Sequence, residues 1–168
     1  MATSINSDIG GATANSYVSV ASADQYFELR DDSSSWDDLV LNSTGTISGT
    51  QAKSNKLIQA TREIDNTFRF QGVRDGDDVK ESEDYQNLEF PRAENTDADG
   101  NLLIPDEIKY TTYEQALWIM LRNSPQTASG ENVVKLPKFS EQAYDYLKPW
   151  VTRAVVKVGR YGWQGSEF

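Results

Sequence analysis

Apolar positions fall into two long helical stripes separated by polar, turn-rich stretches. In the first, Leu57, Thr61, Ile64 and Phe68 recur at spacings of four, three and four, with Lys56, Arg62, Glu63 and Asn66 off the stripe. That period predicts one amphipathic helix over TQAKSNKLIQATREIDNTFRF, capped by Thr50 and stopped by Gly72. In the second, Ile108, Thr112, Ala116 and Ile119 form a stripe that Leu117 and Met120 widen. Pro105 suits the first helical position, and Asp106 and Glu107 complement the positive end of the helix dipole. A helix apolar over so much of its circumference belongs at the centre of a fold.

Weaker patterns fill in the rest. ASADQYFELR reads as a helix capped by Ser19 or Ser22, with Ala23, Tyr26 and Phe27 on one face. In SSSWDDLVL, Ser35 and Asp38 make a variant capping box for a short turn that buries Trp36 and Leu39. YQNLEFPR alternates and predicts a short strand ended by Pro91. Ser140 caps a helix over EQAYDYL that ends before Pro149. The β-branched run in WVTRAVVKV predicts a strand followed by an arm. NSTGTISGT and residues 123–138 read as loops, and RDGDDVKESED, with six acids and one lysine between Asp75 and Asp84, as a solvated loop. The expected fold is mainly α: a small bundle of three to four helices with a short β element and extended amino- and carboxyl-terminal arms. Its expected divisions are a flexible arm over 1–15, a helical domain over 16–148 and a docking arm over 149–168.

At 168 residues the chain accommodates one domain with a sizeable core. No apolar run approaches the length of a membrane span, and no secretory signal is apparent, so neither membrane insertion nor secretion is expected. The net charge of −10 opposes clamping of nucleic-acid phosphates by the chain as a whole. The last quarter is different: Lys135, Lys138, Lys148, Arg153, Lys157 and Arg160 face only Glu141 and Asp145.

Candidate chemistry is sparse. The chain has no cysteine and no histidine, hence no thiolate nucleophile and no imidazole base or ligand. It has no Gly-rich phosphate loop and no nucleophile elbow, so no catalytic activity, cofactor or metal is expected. Counting from Asn95, oxygen side chains occupy the first, third and fifth positions of ENTDADGNLLIPDE, with Gly100 sixth, as in a calcium loop. The twelfth position is Asp106 rather than Glu, Pro105 adjoins it, and Phe90-Pro91-Arg92 interrupts any incoming helix. A polar turn is the expected reading.

Four segments, in order, resemble a group of tailed-phage proteins often labelled DnaT-like single-stranded DNA-binding proteins, some of which resemble head–tail connectors. NSYVSVASADQYF resembles their opening, LIQATREIDNTFRFQG their next signature, QNLEFPR their Gln-x-Leu-x-aromatic-Pro-Arg, and DADGNLLIPDEIKYTTYEQAL their Ile-Pro and Glu-x-Ala-Leu series. The resemblance covers residues 15 to 122. The chain departs by Phe90, where Trp is common, and by a longer acidic loop before Gln86. The family's turn into its central helix accounts for the stretch around Gly100.

The resemblance implies a structural virion protein, a connector or adaptor in the neck, assembled in the host cytoplasm. Its implied partners are the portal protein, neighbouring copies in a ring (twelve-fold by the resemblance) and a downstream stopper or tail protein. DNA would pass through an acidic lumen without specific binding, and no membrane is involved. Trp150, Arg153, Lys157, Arg160, Tyr161, Trp163 and Phe168 are the candidate docking residues, since exposed aromatic anchors suit protein interfaces. Arg92 would pair with an acid of its own or the next subunit, or lie as a plain surface arginine. The alternatives are a single-stranded nucleic-acid-binding accessory protein, gripping with the basic aromatic tail, and a neck stopper or tail-completion protein.

Overall fold

The computed structural model describes residues 4–31, 34–39, 48–76, 80, 82, 84–122 and 137–154. Among these the fold is mainly α, with a small two-stranded sheet. Helix α1 spans Val20–Glu28, α2 Ser34–Asp38, α3 Gly49–Thr67, α4 Asp106–Arg122 and α5 Glu141–Leu147. Strands β1 (Phe68–Phe70) and β2 (Val151–Ala154) pair antiparallel, and a 3₁₀ turn over Lys148–Trp150 leads from α5 into β2.

Helix α4 is central, as its wide stripe predicts: it packs on α3, α5 and α2. Ile108, Ala116 and Ile119 are fully buried, beside Leu57, Ile64, Phe27 and Trp36 from the other helices. Burying such side chains contributes roughly 1.5–3 kcal/mol each. Phe27 and Trp36 rings lie 4.8 Å apart, so the five-residue α2 is held by one indole rather than by its own helical bonds. That indole donates to Asp24 Oδ1 at 2.7 Å, and Lys53 reaches the same oxygen at 2.7 Å.

The caps follow the serines. Ser19 rather than Ser22 caps α1, accepting from Ser22 N–H at 3.1 Å, and Ser140 caps α5. Helix α3 begins earlier than its stripe suggests, because Ser48 takes the capping place expected of Thr50. It also ends earlier. Phe68, Arg69 and Phe70 run buried, exposed, buried, a period of two that the ladder with β2 selects over one more helical turn. Gly72, at φ +79°, then turns the chain after β1 instead of stopping the helix.

The strand expected at Tyr85–Phe90 does not form. Gln86 is buried, and its side-chain amide donates to the carbonyls of Leu88 and Pro91 at 2.8 and 3.1 Å, so the local backbone bonds to a side chain instead of a neighbouring strand. The Phe90–Pro91 bond is cis, and the backbone meets the rest through an isolated bridge from Arg92 to Arg74.

Residues 4–16 form a hydrogen-bonded loop: Asn6 N–H donates to Asn15 Oδ1 at 2.8 Å, and Ala14 is buried. At the other end β2 pairs with β1 through Ala154. Residues 1–3, the loop at 40–47, parts of the acidic loop, 123–136 and 155–168 lie outside the described residues.

Candidate functional site

The two proline-flanked turns of the middle segment do structural work. Thr96 bridges Leu102, and Leu103 N–H donates to Asn95 carbonyl at 2.9 Å, closing a tight turn with Gly100 at φ +85°. The Asp97 carboxylate faces its own loop. Its Oδ1 accepts from the N–H groups of Asp99 and Asn101 at 2.9 and 2.8 Å, and its Oδ2 from Asn101 Nδ2 at 3.0 Å. The Asn101 side-chain bond, with these backbone donors, holds Asp97 below the usual carboxylate range. This is an Asx-type turn, and no group of three or more acids suited to a metal ion occurs among the described residues.

Arg92 is buried. Its guanidinium lies 5.6 Å from the Phe70 ring and 5.3 Å from the Phe90 ring, pairs with Glu89 Oε2 at 2.8 Å, and donates to Gly72 carbonyl at 3.4 Å. Of the expected partners for Arg92, the fold supplies an acid of the same subunit. Trp150 packs inward as well, its ring 5.8 Å from Phe90 in an edge-on contact and its Nε1 buried. Trp150 therefore anchors the 3₁₀ turn to the core. Arg153 is set by register opposite Arg69. Lys157, Arg160, Tyr161, Trp163 and Phe168 lie outside the described residues.

Two carboxylates, the half-buried Asp65 and the buried Glu114, went unsuspected in the sequence. Tyr17 donates its phenol to Asp65. Burial, the largest cause, raises Asp65 to about 7, against the pull of that bond and of Glu89 N–H. Burial and the Asp65 charge raise the Tyr17 phenol well above its usual range. On the other side, Glu114 in α4 pairs with Arg30 and accepts from the Tyr26 hydroxyl at 2.5 Å. The signal for Asp65 was its place four after Thr61 and three before Phe68, which puts it on the apolar stripe.

An open cleft of about 440 Å³ lies over that Arg30–Glu114 pair, walled by Leu117, Trp118, Leu121 and Pro137. Trp118 Nε1 donates across it to Pro137 carbonyl at 2.9 Å. Arg30 and Glu114, paired with each other, and Glu141 are the charged groups that line it. No described helix is long and apolar enough to cross a membrane.

With this geometry in hand, the comparison with protein families is specific. A family described as "Putative DnaT-like ssDNA binding protein" matches residues 1–141. The chain belongs to that family. The match takes in α1 to α4 and the turns between them, and stops at the first residue of α5. No curated protein and no solved structure matches the chain.

Proposed function

We propose that this member of the DnaT-like family is a non-catalytic phage structural protein: a head–tail connector whose copies form a ring beneath the portal in the virion neck. The observation that carries the reading is how the fold spends its positive charge. Arg30, Lys53, Arg92, Lys109, Arg122 and Lys148 each pair with a carboxylate of the same chain. These cations are thereby engaged within the chain, and the net charge of −10 opposes adhesion of DNA passing a lumen. Partners in this reading are the portal, neighbouring copies, and a stopper or tail protein below.

Cryo-electron microscopy of the neck of a virion carrying this chain tests it. A ring of copies directly under the portal is expected; absence from the particle overturns the reading. Because β2 completes the sheet, truncation after Ala154 is the informative deletion. It removes Lys157, Arg160, Tyr161, Trp163 and Phe168 while keeping Trp150, and is expected to leave a folded chain that no longer joins portal rings.

A second reading, single-stranded DNA binding, is favoured by the family match, whose description names that activity. The basic and aromatic residues after β2 are the kind such proteins use, rings for stacking and cations for phosphates. Salt-sensitive binding of a single-stranded oligonucleotide, together with absence from the neck, would establish it in place of the connector.

A further inference from the structure

Ile9, a large apolar side chain, is 51% exposed at the tip of an ordered turn. Gly11 N–H donates to Asp8 carbonyl at 3.1 Å, with Gly10 at φ +69° in the third place of the turn. The flanks are pinned as well. Asn6 N–H donates to Asn15 Oδ1 at 2.8 Å, and Asn15 N–H returns a bond to Asn6 carbonyl at 2.9 Å. The turn is therefore preorganised, so burying Ile9 against another surface costs little further ordering. It sits over Gln86 and Leu102, before α4 begins: a Cβ on Gly10 would lie 3.9 and 4.0 Å from their side chains.

The concave counterpart is the cleft of about 440 Å³ along the later turns of α4, which has room for an isoleucine side chain. Leu121 is 40% exposed on its wall, beside Leu117, Trp118 and Pro137. The charges are complementary. Asp8 adjoins Ile9, and Lys138 adjoins Pro137 on the rim. Both are exposed, and neither side chain pairs with another described residue. Leu29 and Val73 are more exposed than Ile9, but Val73 is followed by a cation, Arg74, and Leu29 adjoins Arg30, itself a wall of the cleft.

Turn and cleft occupy separate places on the folded chain, so they meet only between copies. A contact between two different patches is head-to-tail, and it repeats into a ring where its rotation closes.

We propose that the turn of Asp8 and Ile9 docks in the α4–α5 cleft of a second copy, with Ile9 against Leu117, Trp118 and Leu121 and Asp8 beside Lys138. Closure into a ring rests on the connector reading; the contact itself stands on the two surfaces. A knob in a cleft buries less than the roughly 1,000 Å² of a stable interface, so free chains associate weakly and repetition around a ring supplies the rest.

The chain has no cysteine, so introduced thiols report the contact cleanly. Full-length Ile9→Cys and Leu121→Cys are treated with a short bismaleimide at high protein concentration, each alone and as an equimolar mixture. The mixture should give about tenfold more cross-linked dimer than either variant alone, as a head-to-tail contact requires. Charge reversal is the second readout. Asp8→Lys and Lys138→Asp should each weaken self-association in sedimentation several-fold, and the two combined in one chain should recover most of it, since every contact again pairs opposite charges. All four positions are exposed, and circular dichroism with a melting curve checks that the variants fold. Absence of any cross-link overturns the proposal, as does comparable dimer from one variant alone, which marks a symmetric contact. So does Leu29→Cys or Val73→Cys linking to Leu121→Cys in place of Ile9→Cys, or a combined charge variant no better than the single ones. A neck ring whose copies touch elsewhere overturns the contact and leaves the connector standing. Absence from the particle removes the connector, while the cross-link still decides the contact.

Discussion

The Tyr17 hydroxyl donates to the Asp65 carboxylate and so ties the loop before α1 to the last turn of α3. Glu89 N–H approaches the other oxygen at 3.4 Å, bringing the cis-proline segment to the same point. A charged Asp65 is disfavoured there by burial, which raises it from 3.8 to about 7. The folded state therefore holds its proton where the unfolded chain has lost it. Stability is fully present below the unfolded value and falls as pH rises through the folded one. The gap corresponds to roughly 4 kcal/mol at most. Between pH 5 and 8 the urea midpoint should decline more steeply than in Asp65→Asn, which keeps the acceptor without the charge. Parallel profiles for the two proteins would refute the assignment.

Gln115 holds three elements together from the middle of α4. Its amide nitrogen donates to Glu63 at 2.6 Å and to Lys138 carbonyl at 3.1 Å, and its oxygen accepts from Ser140 N–H at 3.0 Å. Gln115→Ala leaves the Ser140 N–H and the Glu63 carboxylate without that partner in a buried place. The expected loss is about 1–3 kcal/mol in chemical denaturation. Gln115→Leu, similar in volume, should cost nearly as much. A cost confined to the alanine variant would mean that packing rather than hydrogen bonding holds this junction.

The long elements were legible because each carries a stripe. Ile108, Ala116 and Ile119 lie where the α4 period puts them, and Ser140 and Ser19 cap where a serine precedes an apolar run. The sheet was half legible. The β-branched run beginning at Val151 announces β2, whereas Phe68–Phe70 continue the helical spacing and become a strand only because β2 is there to pair with them. The Gln86 bonds that displace the strand at 85–90 are set by tertiary proximity, which no period records. Asp65 and Glu114 look like ordinary helix acids until burial shows what each faces.

Glu114 has a side chain only 4% exposed, and Arg30, 20% exposed, supplies its charge partner. Removing that partner strands a carboxylate inside α4. Arg30→Ala is expected to lower stability by about 3 kcal/mol, and Glu114→Gln by less, since it leaves only a partly solvated arginine. The double variant should recover part of the loss. Additive single effects in that cycle would show that the two groups do not interact.

Gly72 and Gly100 share a left-handed backbone, at φ +79° and +85°, but not an environment. A Cβ at Gly100 meets nothing within 4 Å, so Gly100→Ala should cost only the conformational penalty, about 1–2 kcal/mol. At Gly72 the same Cβ would sit 1.6 Å from Glu94 Oε1. The backbone penalty there is joined by displacement of that side chain, and Arg92 bonds the Gly72 carbonyl just beneath. Gly72→Ala should therefore melt lower than Gly100→Ala. Adding Glu94→Ala should relieve only the steric part, bringing the Gly72 variant back toward its Gly100 counterpart. If the two glycine variants melt together, Glu94 moves aside freely and the close approach at Gly72 does not constrain the turn.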